Sequence, residues 1–207
     1  MISLETVLCE RKSALILIDV QNEFCHPDGS FGQKGLDLSR VNGIIPPLRA
    51  LIDTAHKKGV PVIFVKNTED FSTDAEAWVC RPDGDENSPN EGVTRRGTWG
   101  AEIYALEPTA EDIILEKHRF SAFHNTPLNT ILQSLGVQTT VFGGLATNVC
   151  VLTSATHAVM NGYHVVLAED GCAAWFQDVH DFALKNIRLF VGKVVPSADI
   201  IGCWEKL

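Results

Sequence analysis

No apolar run in this 207-residue sequence approaches the ~18 residues of a membrane-spanning helix, so no membrane partner is expected. Basic residues are scarce: 17 Lys and Arg stand against 26 Asp and Glu, a formal net charge of −9. A field of that sign repels a polyanion and argues against a nucleic-acid partner. The six cysteines include no C-x-x-C pair, which removes the usual zinc-ribbon and thioredoxin-type patterns. No G-x-G-x-x-G follows the first apolar run, so a dinucleotide site has no support. Internal repeats and low-complexity tracts are also missing. The opening residues carry Glu5 where a signal peptide would be basic. These absences predict a cytoplasmic protein with free thiols, no cofactor or metal, and a small molecule as its partner.

What is present is an alternation. Six short runs rich in β-branched residues recur at Ala14–Val20, Val60–Lys66, Asp112–Lys117, Thr139–Leu145, His164–Ala168 and Leu189–Val195. They are continuously apolar rather than alternating, which predicts strands buried on both faces. Helical patterns lie between them at 43–58, 126–136, 149–161 and 179–188, several ending at glycine. Strand and helix in alternation predict βαβ units, hence one three-layer α/β/α domain spanning residues 1–207 around a parallel sheet. The polar stretch Thr68–Thr98 has no periodicity and reads as a lid, a specificity loop or an assembly contact.

In such a sheet, ligands sit beyond the carboxyl ends of the strands, where the winding reverses. Asp19 closes the first run, Lys117 the third, and Cys150 follows the fourth. If the strand order is 3-2-1-4-5-6, Asp19 and Cys150 are neighbours, and a lysine is long enough to reach them from the third strand, roughly 10 Å away. A cysteine in the first turn of a helix gains from the helix's positive end, and its thiol near pKa ~8.5 needs a base to become a nucleophile. Asp19 supplies the base and Lys117 a cation to steady the anions. Each residue alone has an ordinary reading: a packed thiol, a turn cap, a snorkelling lysine.

Together, the stretches Leu17-Ile18-Asp19-Val20-Gln21-Asn22-Glu23-Phe24, Glu116-Lys117-His118-Arg119-Phe120-Ser121-Ala122-Phe123 and Gly144-Leu145-Ala146-Thr147-Asn148-Val149-Cys150-Val151 resemble the isochorismatase-like cysteine hydrolase superfamily. The resemblance implies a six-stranded parallel sheet of order 3-2-1-4-5-6 and a homodimer or homotetramer. It also implies an Asp-Lys-Cys triad, carried here onto Asp19, Lys117 and Cys150, with a cis peptide between Leu145 and Ala146. The N–H groups of Ala146 and Cys150 would then form the oxyanion hole. Members that cleave vinyl ethers lack the cysteine, so Cys150 directs the resemblance to amidases. Nicotinamidases carry an Asp-x-His metal pair and a further histidine after the second strand, whereas residues 65–73 here contain no histidine. The run from Arg119 to Leu128 is most similar to hydrolases of linear ureido compounds: biuret, ureidoacrylate and N-carbamoylsarcosine amidohydrolases. The expected activity is C–N hydrolysis through a thioester, releasing ammonia or an amine. A nicotinamidase-like amidase and a catalytically silent ligand-binding relative remain the alternatives.

Candidate substrate contacts follow from the strand ends. Phe24 would form an apolar wall, Gln21 and Asn67 would bond an amide, and Gln177, beyond the fifth strand, would touch a ureido group. Arg81, Arg95 and Arg96 fall in the long loop, where one of them could pair with a substrate carboxylate. Trp78 and Trp99 bracket that loop and would close the pocket or lie at a subunit contact.

Overall fold

The computed structural model describes residues 2–82 and 93–207. The part of the Thr68–Thr98 loop at 83–92 lies outside the described residues. Six strands run parallel: β1 (Ser13–Ile18), β2 (Val62–Asn67), β3 (Ile113–Lys117), β4 (Thr139–Gly144), β5 (His164–Cys172) and β6 (Lys193–Val195). Their order is β3-β2-β1-β4-β5-β6, the order the resemblance implies. β1 and β4 are buried along their full length because apolar groups leave them on both sides. Leu15 and Leu17 face one core, and Ala14, Ile16 and Ile18 face the other.

Longer helices cover the two faces: α1 (Leu4–Leu8), α2 (Ile45–Lys58), α3 (Leu128–Ser134), α4 (Leu152–Met160), α5 (Gln177–Phe190) and α6 (Ser197–Trp204). α2 places Leu48, Leu51, Ile52 and Ala55 on one stripe and packs with Ile200 and Trp204 of α6 over the first core. Its Pro46 and Pro47 lie in the first turn, where a missing N–H costs nothing, and Gly59 ends it in the left-handed conformation at φ 67°. On the opposite face, Leu128 and Leu132 of α3, Ala155 of α4 and Ile187 of α5 meet Ile16 and Phe142. Each large apolar side chain buried this way contributes about 1.5–3 kcal/mol. No helix among the described residues is long and apolar enough to cross a membrane.

The largest differences in strand boundary from the sequence reading fall in β5 and β6, the other strands shifting by one or two residues. β5 runs on to Cys172 through Glu169-Asp170-Gly171, because Asp170 is used locally: its carboxylate accepts from the Ser197 N–H and hydroxyl at the start of α6. Leu189 and Phe190, read as the start of a strand from their hydrophobicity, instead end α5 with exposed side chains. The change in β5 alters which residues stand at the carboxyl edge of the sheet, while the change in β6 shortens only its start.

Candidate active site

Asp19 follows β1 directly, and its backbone is unusual. It adopts φ 53°, a left-handed conformation that costs a non-glycine residue about 1–3 kcal/mol and persists only where its surroundings fix it. Here its N–H donates to Val65 in β2 at 2.9 Å, and its carbonyl accepts from the Gln21 N–H at 2.9 Å. Lys117 ends β3 in register with Asn67 of β2 and is wholly buried. Its chain crosses the width of β2, so that Nζ lies 2.8 Å from Asp19 Oδ2 and 3.5 Å from Cys150 Sγ. Lysine length meets the span anticipated from strand spacing. The structure thus brings the three expected residues together.

Cys150 is delivered by a widened turn. Thr147–Val151 is π-helical, with the Val151 N–H reaching back five residues to the Ala146 carbonyl at 3.2 Å, before α4 continues as a regular helix. Single π turns of this kind recur at functional sites. The strand arrives there through Gly144, at φ 112°, where a Cβ would stand 2.1 Å from the Ile18 carbonyl oxygen. Only glycine fits that close approach between β4 and β1. The Leu145–Ala146 peptide is trans, contrary to the implied cis bond. The change of direction is taken up at Gly144, and Ala146 is extended at φ −81°, ψ 140°.

Burial dominates the electrostatics. It raises the Asp19 pKa, with the Lys117 ammonium opposing but not cancelling the effect. Burial alone would depress Lys117, yet the charges of Asp19 and Cys150 outweigh it and hold the ammonium above its ordinary range. The Cys150 thiol is pushed up to about 12 by burial and by the Asp19 charge, with Lys117 in partial opposition. The Cys150 thiol therefore lies beside the Lys117–Asp19 pair. Asp19 Oδ2 is held by Lys117, while Oδ1 has no hydrogen-bond partner among the described residues.

Asp19 and Cys150 line a cavity of about 170 Å³ together with Leu145 and Ala146. Its other walls are strongly aromatic. Trp175 lies 4.3 Å from Phe31 and 6.1 Å from Phe24 between ring centroids, and Trp78 lies 4.8 Å from Phe120. Arg81 also lines the cavity, with its guanidinium 3.5 Å from the centre of the Trp78 ring and 3.4 Å from the Glu69 carboxylate.

Among the expected contacts, Phe24, Asn67 and Arg81 line this cavity. Gln21 does not. It is fully buried, donating from Nε2 to the carbonyls of Asn67 and Ala101 and accepting the Asn67 N–H at Oε1, so its hydrogen-bonding capacity goes to backbone. Trp99 is half exposed and packs edge-on against His26, away from the cavity. Gln177 opens α5, is exposed and bonds Asp181, because β5 ends later than its hydrophobicity suggests. Arg95 pairs with Asp74, and Arg96 with Asp70 and Glu116. The segment where nicotinamidases carry metal-ligating histidines holds Asn67, whose amide faces Lys117, and Glu69, which pairs with Arg81. Sequence reasoning missed Trp175 and Phe31. The strand-end rule would have found Trp175 had β5 been drawn to Cys172.

Residues 13–199 match the family model described as the isochorismatase domain. A ureidoacrylate amidohydrolase, RutB, from Methylobacterium radiotolerans is 32% identical over 196 residues, covering 87% of this chain and 74% of that protein. A cysteine hydrolase from Pseudomonas syringae pv. phaseolicola superposes with a TM-score of 0.81 at 28% identity, covering 94% of this chain and 93% of the other. An N-carbamoylsarcosine amidase from Thermoplasma acidophilum does so with a TM-score of 0.72 at 27% identity, over 90% and 96%.

Proposed function

This chain belongs to the isochorismatase family of hydrolases, and from that premise we propose that it is a cysteine-dependent amidohydrolase acting on a small linear amide or ureido compound. The observation that carries the reading is the buried Lys117 ammonium, 2.8 Å from Asp19 Oδ2 and 3.5 Å from Cys150 Sγ at the wall of an aromatic-lined cavity. Similarity to ureidoacrylate amidohydrolase and N-carbamoylsarcosine amidase supports the substrate class.

A thiol with pKa about 12 is scarcely ionised at neutral pH, so proton removal must accompany attack. Asp19, a carboxylate made more basic by burial, takes the thiol proton as Sγ bonds to the carbonyl carbon. Lys117 balances the negative charge shared by Asp19 and the sulfur. The N–H groups of Ala146 and Cys150 are assigned to the oxyanion on their place at the cavity wall rather than on a cis bond, a contribution of about 3 kcal/mol. Asp19 then hands its proton to the departing nitrogen, the C–N bond breaks, and a thioester remains on Cys150. Water gives a proton to Asp19, attacks the thioester and releases the acid, and the proton returns to sulfur. Arg81, which lines the cavity against Trp78, is assigned to a substrate carboxylate through bidentate pairing.

Ammonia release from biuret, a ureidoacrylate-type acid, an N-carbamoyl amino acid and nicotinamide tests the class. An adduct on the Cys150 peptide, trapped by acid quench and read by mass spectrometry, tests the intermediate. Fastest turnover on a ureido acid is expected. A preference for nicotinamide, or turnover with no adduct under burst conditions, overturns the reading.

A further inference from the structure

Two residues beside the site have no step in the mechanism, yet their hydrogen bonds converge on its lysine. Lys117 Nζ carries three N–H donors and no acceptor. Two of its neighbours are Asp19 Oδ2 and Cys150 Sγ, and the third is Asn67 Oδ1 at 3.5 Å. Because an ammonium can only donate, the Asn67 atom facing it must be the oxygen, and Nδ2 then has to face away. It does so onto Thr94 Oγ1 at 2.8 Å, while that hydroxyl donates to the Val93 carbonyl at 2.7 Å. Thr94 therefore has one orientation in which every bond is satisfied. Gln21 fixes the Asn67 backbone from both sides, accepting its N–H at 2.8 Å and donating to its carbonyl at 2.9 Å. Thr94 also has a left-handed backbone, φ 55°, and its carbonyl accepts from the Glu69 N–H at 3.1 Å. Asp19 and Thr94, two of the described non-glycine residues with positive φ, thus stand at opposite ends of one bonded chain, Asp19–Lys117–Asn67–Thr94.

We propose that Asn67 and Thr94 are positioning residues, with the Thr94 hydroxyl turning Asn67 Oδ1 onto Lys117 so that the ammonium is held between Asp19 and Cys150. A neutral acceptor suits this place, since it directs the lysine without adding a second negative charge beside Asp19. The arrangement also joins binding to chemistry, because Val93 lines the cavity and Thr94 is the next residue. A substrate pressing on Val93 acts on the lysine through a single hydroxyl. The inference rests on the proposed role of Cys150.

The test uses iodoacetamide alkylation of Cys150 in the full chain, read by mass spectrometry of its peptide across pH, alongside steady-state kinetics. Thr94→Val keeps the branching and removes the hydroxyl. It should slow alkylation and kcat by about tenfold with KM little changed, and Thr94→Ser should restore both. Asn67→Leu should give a similar loss, and adding Thr94→Val to it should cost nothing more, since the two act as one unit. This pair keeps the question answerable if either single variant folds poorly by thermal melting. Alkylation and kcat at the parent rate in folded Thr94→Val, or additive losses in the double variant, overturn the inference. So does a change confined to KM, which would make Asn67 a substrate contact. If Cys150 of the unaltered protein fails to react while exposed Cys80 does, the nucleophile reading falls and this inference falls with it.

Discussion

Two thiols stand at the carboxyl ends of adjacent strands, Cys150 beyond β4 and Cys172 at the end of β5, and burial raises the pKa of both. Cys172 is almost completely enclosed, with its sulfur 3.8 Å from the Phe142 oxygen, and the negative charge of Asp170 raises its pKa further. Cys150 faces a cavity, with the Lys117 ammonium 3.5 Å away and the Asp19 carboxylate that it holds also acting on the thiol. Burial raises both thiols, and access to the cavity together with the neighbours makes the difference. A thiol becomes a candidate nucleophile here because a strained aspartate and a long lysine are brought to it from two other strands.

The comparison breaks most sharply if the two cysteines are exchanged for alanine. Cys150→Ala should lower kcat by about 10³-fold or more, as loss of a nucleophile does, measured by ammonia release with the best ureido substrate. Parent-level turnover in that variant would make Cys150 another Cys172. Next in size, Lys117→Met leaves Asp19 without its buried partner. Removing one member of a buried pair costs about 3–5 kcal/mol, so a clear fall in urea midpoint should accompany a large loss of kcat. Activity lost with the midpoint unchanged would mean that the pair contributes nothing to folding.

The pH profile sharpens the contrast further. Asp19 must be a carboxylate to take the proton, and its pKa is raised by burial. Activity is then full above that raised value and is lost as pH falls through it, so the acid limb of kcat/KM should lie above the ordinary carboxylate range. Above that limb the rate should level off. A rate still climbing tenfold per pH unit toward the thiol pKa of about 12 would mean that a preformed thiolate attacks unaided. The smallest effect is expected from Cys172→Ala, which should leave kcat and KM unchanged and cost about 1 kcal/mol of stability by thermal or urea melting.

Much of this contrast was readable from residue order. Continuous apolar runs mark the six strands, of which β1 and β4 are buried on both faces while the edge strands β3 and β6 are only partly buried, and the strand-end rule picks Asp19, Lys117 and the Cys150 segment. What escaped notice depended on side-chain direction. Gln21 looked like an amide-binding residue, but its side chain turns inward to clamp the Asn67 backbone. Trp175 went unnoticed because Glu169 and Asp170 broke the apolar pattern of β5, moving its apparent end back from Cys172. Leu189 and Phe190 misled in the other direction, since hydrophobicity marks burial only on average and both are exposed on α5. The trans bond at Leu145–Ala146 could not be read from residue identity, because the change of direction falls to Gly144.

The π turn at Thr147–Val151 has a consequence for how this protein could have arisen or could be disabled. A π turn holds one residue more than the α turn it replaces. Deleting a residue between Gly144 and Cys150 would let the segment relax to ordinary helix and swing the cysteine by about 100° around the axis. The Asp19–Lys117 pair is supplied from β1 and β3 and does not depend on this turn, whereas the sulfur would point elsewhere. On the proposed role of Cys150, only one codon, counted by length rather than by identity, separates a hydrolase from an inert scaffold of this shape.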